Sequence, residues 1–461
     1  MTRAAPGFGR RIDTACSALL ALVAVVAAAL ALYAVVERDT YLTGAKQTAV
    51  FLIAPLALAA GALAATRLAA ESKLRILVLL ISTGFSLFVA ELYLAGLETY
   101  RASVEAREIA AAVEADKRSF AHYDERSTRE YFKDHWAQGT KVYPRIYQLS
   151  SRTIDVDGLT VFPTSNLSGQ PIVECFGEGR YKVYLSDEYG FANPQGLLSR
   201  AADVVLVGDS FTAGECVSVE EDIAAGLRAT HPATVSLGIG GAGPLWELAN
   251  LVEYGLPLRP KTVFWLYYEG NDLADLGWEA NVPELWRYLE SAEPVLRPRK
   301  REVDARVAEL QTREIESLRE MRANGGEARP ALPGLLRALR LSNLRRALAL
   351  GRDDSREQQA RVDTLAQVIA RARALVEAQG GRFVLVYVPD FSRFAGGSVD
   401  FEREPVLQAL RAENVTVLDL LPVLEAHPDV LSLYPHRRMG HFNADGYAFI
   451  AQRLRAELAR D

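Results

Sequence analysis

Three long apolar runs open the chain, and after them the spacing of apolar and polar positions changes character. Ala15 to Val36, Thr48 to Ala65 and Ile76 to Leu97 each approach the length of about 20 residues that a helix needs to cross a hydrocarbon core. Only the third carries an acid, Glu91, which is read as sitting near the outer interface beside Tyr93, with a functional intramembrane acid as the alternative. From Glu98 to about Arg126 the chain is rich in Ala, Glu and Arg and free of Pro and Gly, which suits a helix leaving the membrane. A Tyr- and Ser-rich stretch with several turn formers then runs to about Cys175, as a segment that wraps a domain instead of folding alone.

Beyond residue 200 short β-branched runs alternate with helical ones. Asp203 to Val207, Thr234 to Leu237, Thr262 to Tyr268, Arg382 to Val388 and Val415 to Leu418 read as buried strands. Glu220 to Ala229, Asp363 to Ala378 and Glu404 to Ala412 read as the helices between them. That alternation predicts an α/β domain with a parallel five-stranded sheet covered on both faces. The division expected is a membrane region over 1–97, a linker helix and wrapping segment over 98–199, and the α/β domain over 200–461. A helical insertion at about 280–380 is far longer than an ordinary crossover. Within it, Leu332 to Leu348 alternates Leu with Arg337, Arg340, Arg345 and Arg346 at helical spacing, which fits a lid, a membrane-facing helix or a helix packed on its own domain.

Charge fixes an orientation. Arg3, Arg10 and Arg11 precede the first run and Arg67, Lys73 and Arg75 separate the second from the third, while the first loop carries only Arg38 and Lys46. The positive-inside rule then places the N-terminus in the cytoplasm of a multi-pass inner-membrane protein and exports everything after residue 98, to the periplasm or outer surface in a bacterium. A cleaved signal peptide is the rival for the first run, but its apolar stretch is long and two more follow. The mean hydropathy of +0.02 averages over these two solvents. A formal net charge of −6 gives no footing for broad nucleic-acid binding, and the cluster Arg297, Arg299, Lys300 and Arg301 reads as a solvated surface.

The residues that carry chemistry follow the strands. Gly208-Asp209-Ser210-Phe211 comes directly after the first, where a strand-to-helix turn exposes a hydroxyl near the positive end of a helix dipole. Gly238-Ile239-Gly240-Gly241-Ala242-Gly243 follows the second, where bare backbone N–H groups can approach a ligand. Gly270-Asn271-Asp272 follows the third, and Gly440-His441-Phe442-Asn443 precedes a final helix from Asp445. Ligands of an open parallel sheet bind beyond the carboxyl ends of the strands, so the groups converge on one edge. Asp209 and Asp272 are read as acids that tie up backbone donors in their turns.

On these four blocks the sequence over about residues 200–460 resembles the SGNH/GDSL hydrolase superfamily. The resemblance implies a flavodoxin-like three-layer α/β/α domain in which Ser210 attacks an ester carbonyl and His441 serves as general base and then acid. The N–H groups of Ser210 and Gly241 and the side-chain amide of Asn271 would hold the oxyanion. The stretch from Tyr184 to Pro194 and the segment Trp265 to Leu276 are similar to a membrane-bound subgroup, some relatives of which act on acyl groups of extracellular polysaccharides.

One part of the pattern is missing. The family places an Asp two or three residues before the histidine, and those positions hold Arg438 and Met439. Three accounts remain: a Ser-His dyad, a substitute acid for which Asp390 is the candidate, or a descendant that binds without turnover. His436, in a Pro-His-Arg-Arg context, is the rival base.

Cys16 lies in the first apolar run, leaving Cys175 and Cys216 as a pair that an oxidising compartment would join, with two buried thiols as the alternative. The histidines are scattered and no Gly-rich loop carries a Walker lysine, so neither a metal nor a nucleotide cofactor is expected. The functions in view are a serine esterase or an O-acyltransferase acting on esters of a carbohydrate or envelope polymer. A polysaccharide-binding or assembly subunit is the alternative, with a nonspecific lipase behind it. The partners expected are an acylated carbohydrate, the lipid bilayer and envelope polysaccharide assembly proteins.

Overall fold

The computed structural model describes residues 6–42, 44–120, 122–146, 153–177, 179–320, 341–348, 355–396, 403–438 and 440–460. They divide into two compact units, one of residues 1–115 with 326–356 and one of 116–325 with 357–461.

The first unit contains three helices long and apolar enough to cross a membrane, Arg10–Val36, Ala45–Ala65 and Ala70–Arg101. The third continues without a break to Ser119. Pro55 has no N–H to return to the preceding turn, and the residues ahead of it, Ala49–Ile53, adopt the wider π-helical register. Leu79, Ile81 and Phe85 face outward, as lipid-facing side chains would, while Cys16, Leu20, Ala65 and Leu77 pack together. Near this packed end Lys73 Nζ donates to Asp13 Oδ1 at 2.7 Å and Ser17 Oγ at 2.9 Å, which satisfies a buried cation.

Glu91 has a defined partner. Its carboxylate accepts from the backbone N–H of Asn343 at 3.0 Å and of Leu344 at 2.8 Å, the free donors opening the short helix Ser342–Ala347. The Arg345 guanidinium lies 5.1 Å from the ring centre of Tyr41 and 4.9 Å from that of Phe51, and Lys46 Nζ donates to Leu348 O at 2.6 Å. Glu91 therefore fastens the end of the insertion to the apolar helices. Of the amphipathic piece Leu332 to Leu348, only 341–348 lie among the described residues. We expect Glu91→Ala to strand two backbone donors, at a cost of about 1–3 kcal/mol. Amide exchange at Asn343 and Leu344 should speed at least about tenfold, whereas Glu91→Gln, which keeps an acceptor, should largely preserve protection. Equal protection in all three proteins would refute the capping role.

The second unit is built on five parallel strands, β1 (Val204–Gly208), β2 (Thr234–Ser236), β3 (Thr262–Tyr268), β4 (Arg382–Val388) and β5 (Val417–Asp419). Their order is β5-β4-β3-β1-β2, with every neighbouring pair parallel. The inner strands are continuous apolar runs because helices cover both faces. Val205, Val207, Trp265, Leu385 and Tyr387 belong to one buried layer, and Val204, Leu206, Phe264, Leu266, Val384 and Val386 to the other. Alternation along each strand thus yields two cores, and the architecture is the three-layer α/β/α domain expected from the sequence. Helix Ser355–Glu377 is the crossover into β4, burying Val362, Leu365, Ile369 and Val376, so the excess length of the insertion falls before it.

The segment before β1 wraps this sheet. Asp157-Gly158, both at positive φ, close the hairpin of Ile154–Val156 and Leu159–Val161 with the turn this dipeptide favours. Asp187 accepts from the N–H groups of Tyr189 and Phe191 and from Asn193 Nδ2. Asn193 in turn pairs with both backbone groups of Ser236, covering the edge of the outermost strand β2. Gly190 must lack a side chain, since a Cβ would stand 1.8 Å from Asn166 O.

Of the basic cluster expected to be solvated, Arg301 is exposed, but Lys300 and Arg297 are structural. Lys300 is buried and donates to Ser165 Oγ, Asn166 O and Asp304 Oδ1, while Arg297 lies over the Tyr189 ring at 4.6 Å and donates to Leu198 O. Full pairing is what allows the buried charge.

Candidate active site

The carboxyl edge of the sheet gathers the four blocks. At the end of β1, Asp209 Oδ1 accepts from Phe211 N–H at 2.9 Å and so starts the single turn Ser210–Ala213. Gly208 stands at φ +153°, where a Cβ would meet Thr212 Oγ1 at 2.2 Å and Leu266 O at 2.7 Å, so the turn hugs the neighbouring strand. Gly214, at φ +72°, ends the turn in the left-handed conformation that glycine supplies without strain.

His441 enters from the other end of the domain, just before helix Ala444–Leu458, whose N-cap Asn443 accepts from Gly446 N–H at 2.9 Å. Its ring lies 4.8 Å from that of Phe211, which stacks 4.0 Å from Tyr268. This aromatic seat brings His441 Nε2 to 2.8 Å from Ser210 Oγ. Burial pushes the imidazole below its usual pKa, against the opposing pull of Glu215 and with a smaller lowering from Arg145. The ring is therefore neutral at neutral pH and can accept the serine proton. The rival His436 is a loop residue at positive φ, 5.8 Å from the Phe120 ring.

Two candidate oxyanion donors are backbone groups. Neither Ser210 N–H, at the first position of its turn, nor Gly241 N–H, in the glycine loop after β2, is hydrogen bonded to a described residue. That loop is pinned by Glu279, which accepts from Gly243 N–H at 2.7 Å and Leu245 N–H at 2.9 Å. The third, Asn271 after β3, donates one Nδ2 hydrogen to Asp275 Oδ2 at 2.7 Å, leaving the second available.

Asp390 does not do what was expected of it. Its carboxylate accepts from Tyr268 Oη at 2.5 Å, Ser392 N–H at 2.8 Å and Ser392 Oγ, and it caps the turn Phe391–Arg393 after β4. With its oxygens committed there, it makes no hydrogen bond to His441. No described residue is hydrogen bonded to His441 Nδ1.

The acid that does approach is Glu215, which sequence reasoning passed over. Its Oε2 lies 3.8 Å from His441 Nε2 and accepts from Arg145 Nη1 at 2.5 Å. The only sequence signal was its neighbour Cys216. Cys216 and Cys175 form a disulfide with Cα atoms 5.6 Å apart, closing a loop over a separation of 41 residues. In the chain-entropy account a loop of that size stabilises the fold by about 4 kcal/mol. Glu215, Cys216 and His441 bring potential metal ligands within 4.8 Å of one another. The set does not suit a cation, since the sulfur is in the disulfide, Glu215 is paired with Arg145 and Nε2 faces Ser210.

Asp209 and Asp272 hold the turns, accepting from Phe211 N–H and Tyr268 N–H, and burial pushes the carboxyl of Asp209 up to about 7 and that of Asp272 well above its ordinary value. A cavity of about 850 Å³ between Tyr184, Lys182, Asn193, Arg228 and Gly214 contains neither Ser210 nor His441.

A seryl hydroxyl on a neutral imidazole, beside unpaired backbone donors at the carboxyl edge of a parallel sheet, defines a serine-hydrolase type of site. No family model matches the sequence, and no curated protein does. Among solved structures, a lipase/acylhydrolase from Enterococcus faecalis matches at 14% identity and a TM-score of 0.30, over 56% of this chain and 95% of the other. An acetyl xylan esterase matches at 13% identity and a TM-score of 0.29, over 55% and 98%. A two-domain esterase active on acetylated mannans matches at 12% identity and a TM-score of 0.30, over 57% and 50%. At such values neither activity nor substrate carries over, and function has to come from this chain's own residues.

Proposed function

We propose that the chain is a membrane-anchored serine esterase or O-acyltransferase, with the second unit outside the cytoplasmic membrane and acting on acyl esters of a carbohydrate or envelope polymer. The observation that carries this reading is the 2.8 Å contact between Ser210 Oγ and the Nε2 of a histidine that burial keeps neutral. As Oγ bonds to the acyl carbon, His441 takes its proton, and the carbonyl oxygen gains charge facing the N–H groups of Ser210 and Gly241 and the amide of Asn271. Collapse breaks the bond to the leaving alcohol, which takes the proton from His441. Water or a sugar hydroxyl then gives its proton to His441 as it attacks the acyl-enzyme, and collapse breaks the acyl–Oγ bond while His441 returns that proton to Ser210 Oγ. Location is supported by three apolar helices and the distribution of Arg and Lys around them. The likeness of Tyr184 to Pro194 and Trp265 to Leu276 to a membrane-bound subgroup also supports location, more than it supports substrate.

The second reading, a polysaccharide-binding or assembly subunit that has lost turnover, draws on the missing Asp before His441 and on an Nδ1 to which no described residue is hydrogen bonded. The two separate on incubation of the full chain in detergent with an activated acetyl ester, an O-acetylated polysaccharide and a serine-directed phosphonate. An esterase releases acetate, a transferase moves the acetyl group to added acceptor sugar, and both are labelled at Ser210. A folded protein that does none of these leaves the binding reading ahead.

A further inference from the structure

We infer that Glu215, held in place by Arg145, takes the part of the missing triad acid and acts on His441 from the Nε2 side. This rests on the serine-enzyme reading above. Among the described residues no group is hydrogen bonded to Nδ1, where a triad acid would sit, whereas one carboxylate oxygen lies 3.8 Å from Nε2.

That oxygen is built into position from four directions. Glu215 N–H donates to Ser210 O at 3.0 Å, which ties its backbone to the nucleophile. Its neighbour Cys216 is locked to Cys175 in a left-handed backbone conformation at φ +73°. Tyr447 Oη donates to Glu215 O at 3.4 Å from the helix that follows His441. From the glycine loop, Gly240 leaves room for the ion pair, because a Cβ there would stand 2.4 Å from Arg145 Nη1 and 2.9 Å from Glu215 Oε2. The pair thus touches the oxyanion loop, the nucleophile's turn and the base together, and it is largely buried, with side chains 17% and 11% exposed.

The placement explains why an acid at this nitrogen helps. When the serine proton moves to Nε2, positive charge appears on the ring 3.8 Å from a carboxylate in a site of low dielectric, where opposite charges stabilise one another strongly. The carboxylate must not compete with Ser210 for that nitrogen. Arg145 prevents this by engaging the same Oε2 at 2.5 Å, and 3.8 Å is too long for a hydrogen bond to the ring. The other charged groups nearby are Asp209, whose Oδ2 lies 3.2 Å from Ser210 Oγ, and the buried Glu174, an electrostatic neighbour of both Glu215 and Arg145. Burial holds Glu174 up to about 8, so it is neutral across the acid limb. On the element of His441 itself, Arg438 and His436 are exposed.

The test is the pH dependence of phosphonate labelling at Ser210 in the full chain, because labelling requires neutral His441 and its rate falls as pH drops through the pKa of the ring. A carboxylate raises that pKa, so Glu215→Gln should shift the acid limb to lower pH by about half a unit or more and cut the plateau rate at least about tenfold. Glu215→Asp keeps the charge at a greater distance and should fall between the two. Thermal unfolding identifies any variant that does not fold. Should Glu215→Gln fail that control, the limb of Glu215→Asp must still move below wild type. A folded variant whose limb stays at the wild-type pH overturns the inference, including one that labels slowly with an unmoved limb, which is a merely structural loss. Wild-type protein that is folded yet unlabelled sinks the serine-enzyme reading and this inference with it.

Discussion

Ser210→Ala is expected to abolish phosphonate labelling and to lower ester turnover by about four to six orders of magnitude, the range seen when a nucleophile that acts as a unit with its base is removed. The fold should survive the change. Asp209 caps its turn through Phe211 N–H, not through the serine, and the lost Oγ leaves behind only a 3.2 Å contact to Asp209 Oδ2 and the link to His441. A stability change of about 1 kcal/mol or less follows. His441→Ala should lose nearly as much turnover, and the double variant little more than either alone, because the residual rate comes from binding and the oxyanion donors. Steady-state turnover of an activated acetyl ester checks this, with thermal unfolding as the control. Wild-type rates in Ser210→Ala would mean that the chemistry lies elsewhere.

How much of this could be read from the sequence depends on the range of the interaction concerned. The strands β3 and β4 are legible to the residue because Val263 to Tyr268 and Phe383 to Val388 are continuous runs of apolar and aromatic residues bounded by turn formers. Ser210 and Asn271 are legible because each follows a strand directly, so the local pattern fixes the edge at which it emerges. The sequence pattern places β5 one to two residues early, since the Cα-paired residues are Val417–Asp419 while Thr416 contributes only its carbonyl, which accepts from Leu385 N–H. Pairings set by tertiary contact were not legible. Asp390 sits at the correct edge, yet Tyr268 and Ser392 claim its carboxylate. Glu215 is marked locally only by its neighbour Cys216, and its importance comes from Arg145, which lies 70 positions earlier in the chain. Likewise the buried Lys300 looked like part of a solvated basic run, because its partners Ser165 and Asn166 lie more than 130 residues away.

Asn271→Ala should lower kcat by about a hundred- to a thousandfold with little change in KM, the signature of a donor used mainly in the transition state. One Nδ2 hydrogen is held by Asp275 at 2.7 Å, and that bond aims the amide so that its second hydrogen is fixed before the oxyanion forms. Burial raises the pKa of Asp275, while bonds from Trp278 and Asn271 oppose the shift. The aiming and the donation can be separated. Asp275→Asn retains a carbonyl oxygen to accept from Asn271 and should cost less than about tenfold, whereas Asp275→Ala frees the amide to rotate and should fall between that value and the loss in Asn271→Ala. The backbone donors of Ser210 and Gly241 remain in all three, so none should drop to the level of Ser210→Ala. If Asn271→Ala stays within about threefold of wild type in kcat, the oxyanion rests on the two backbone groups alone, and Asn271 belongs to the helix that follows it.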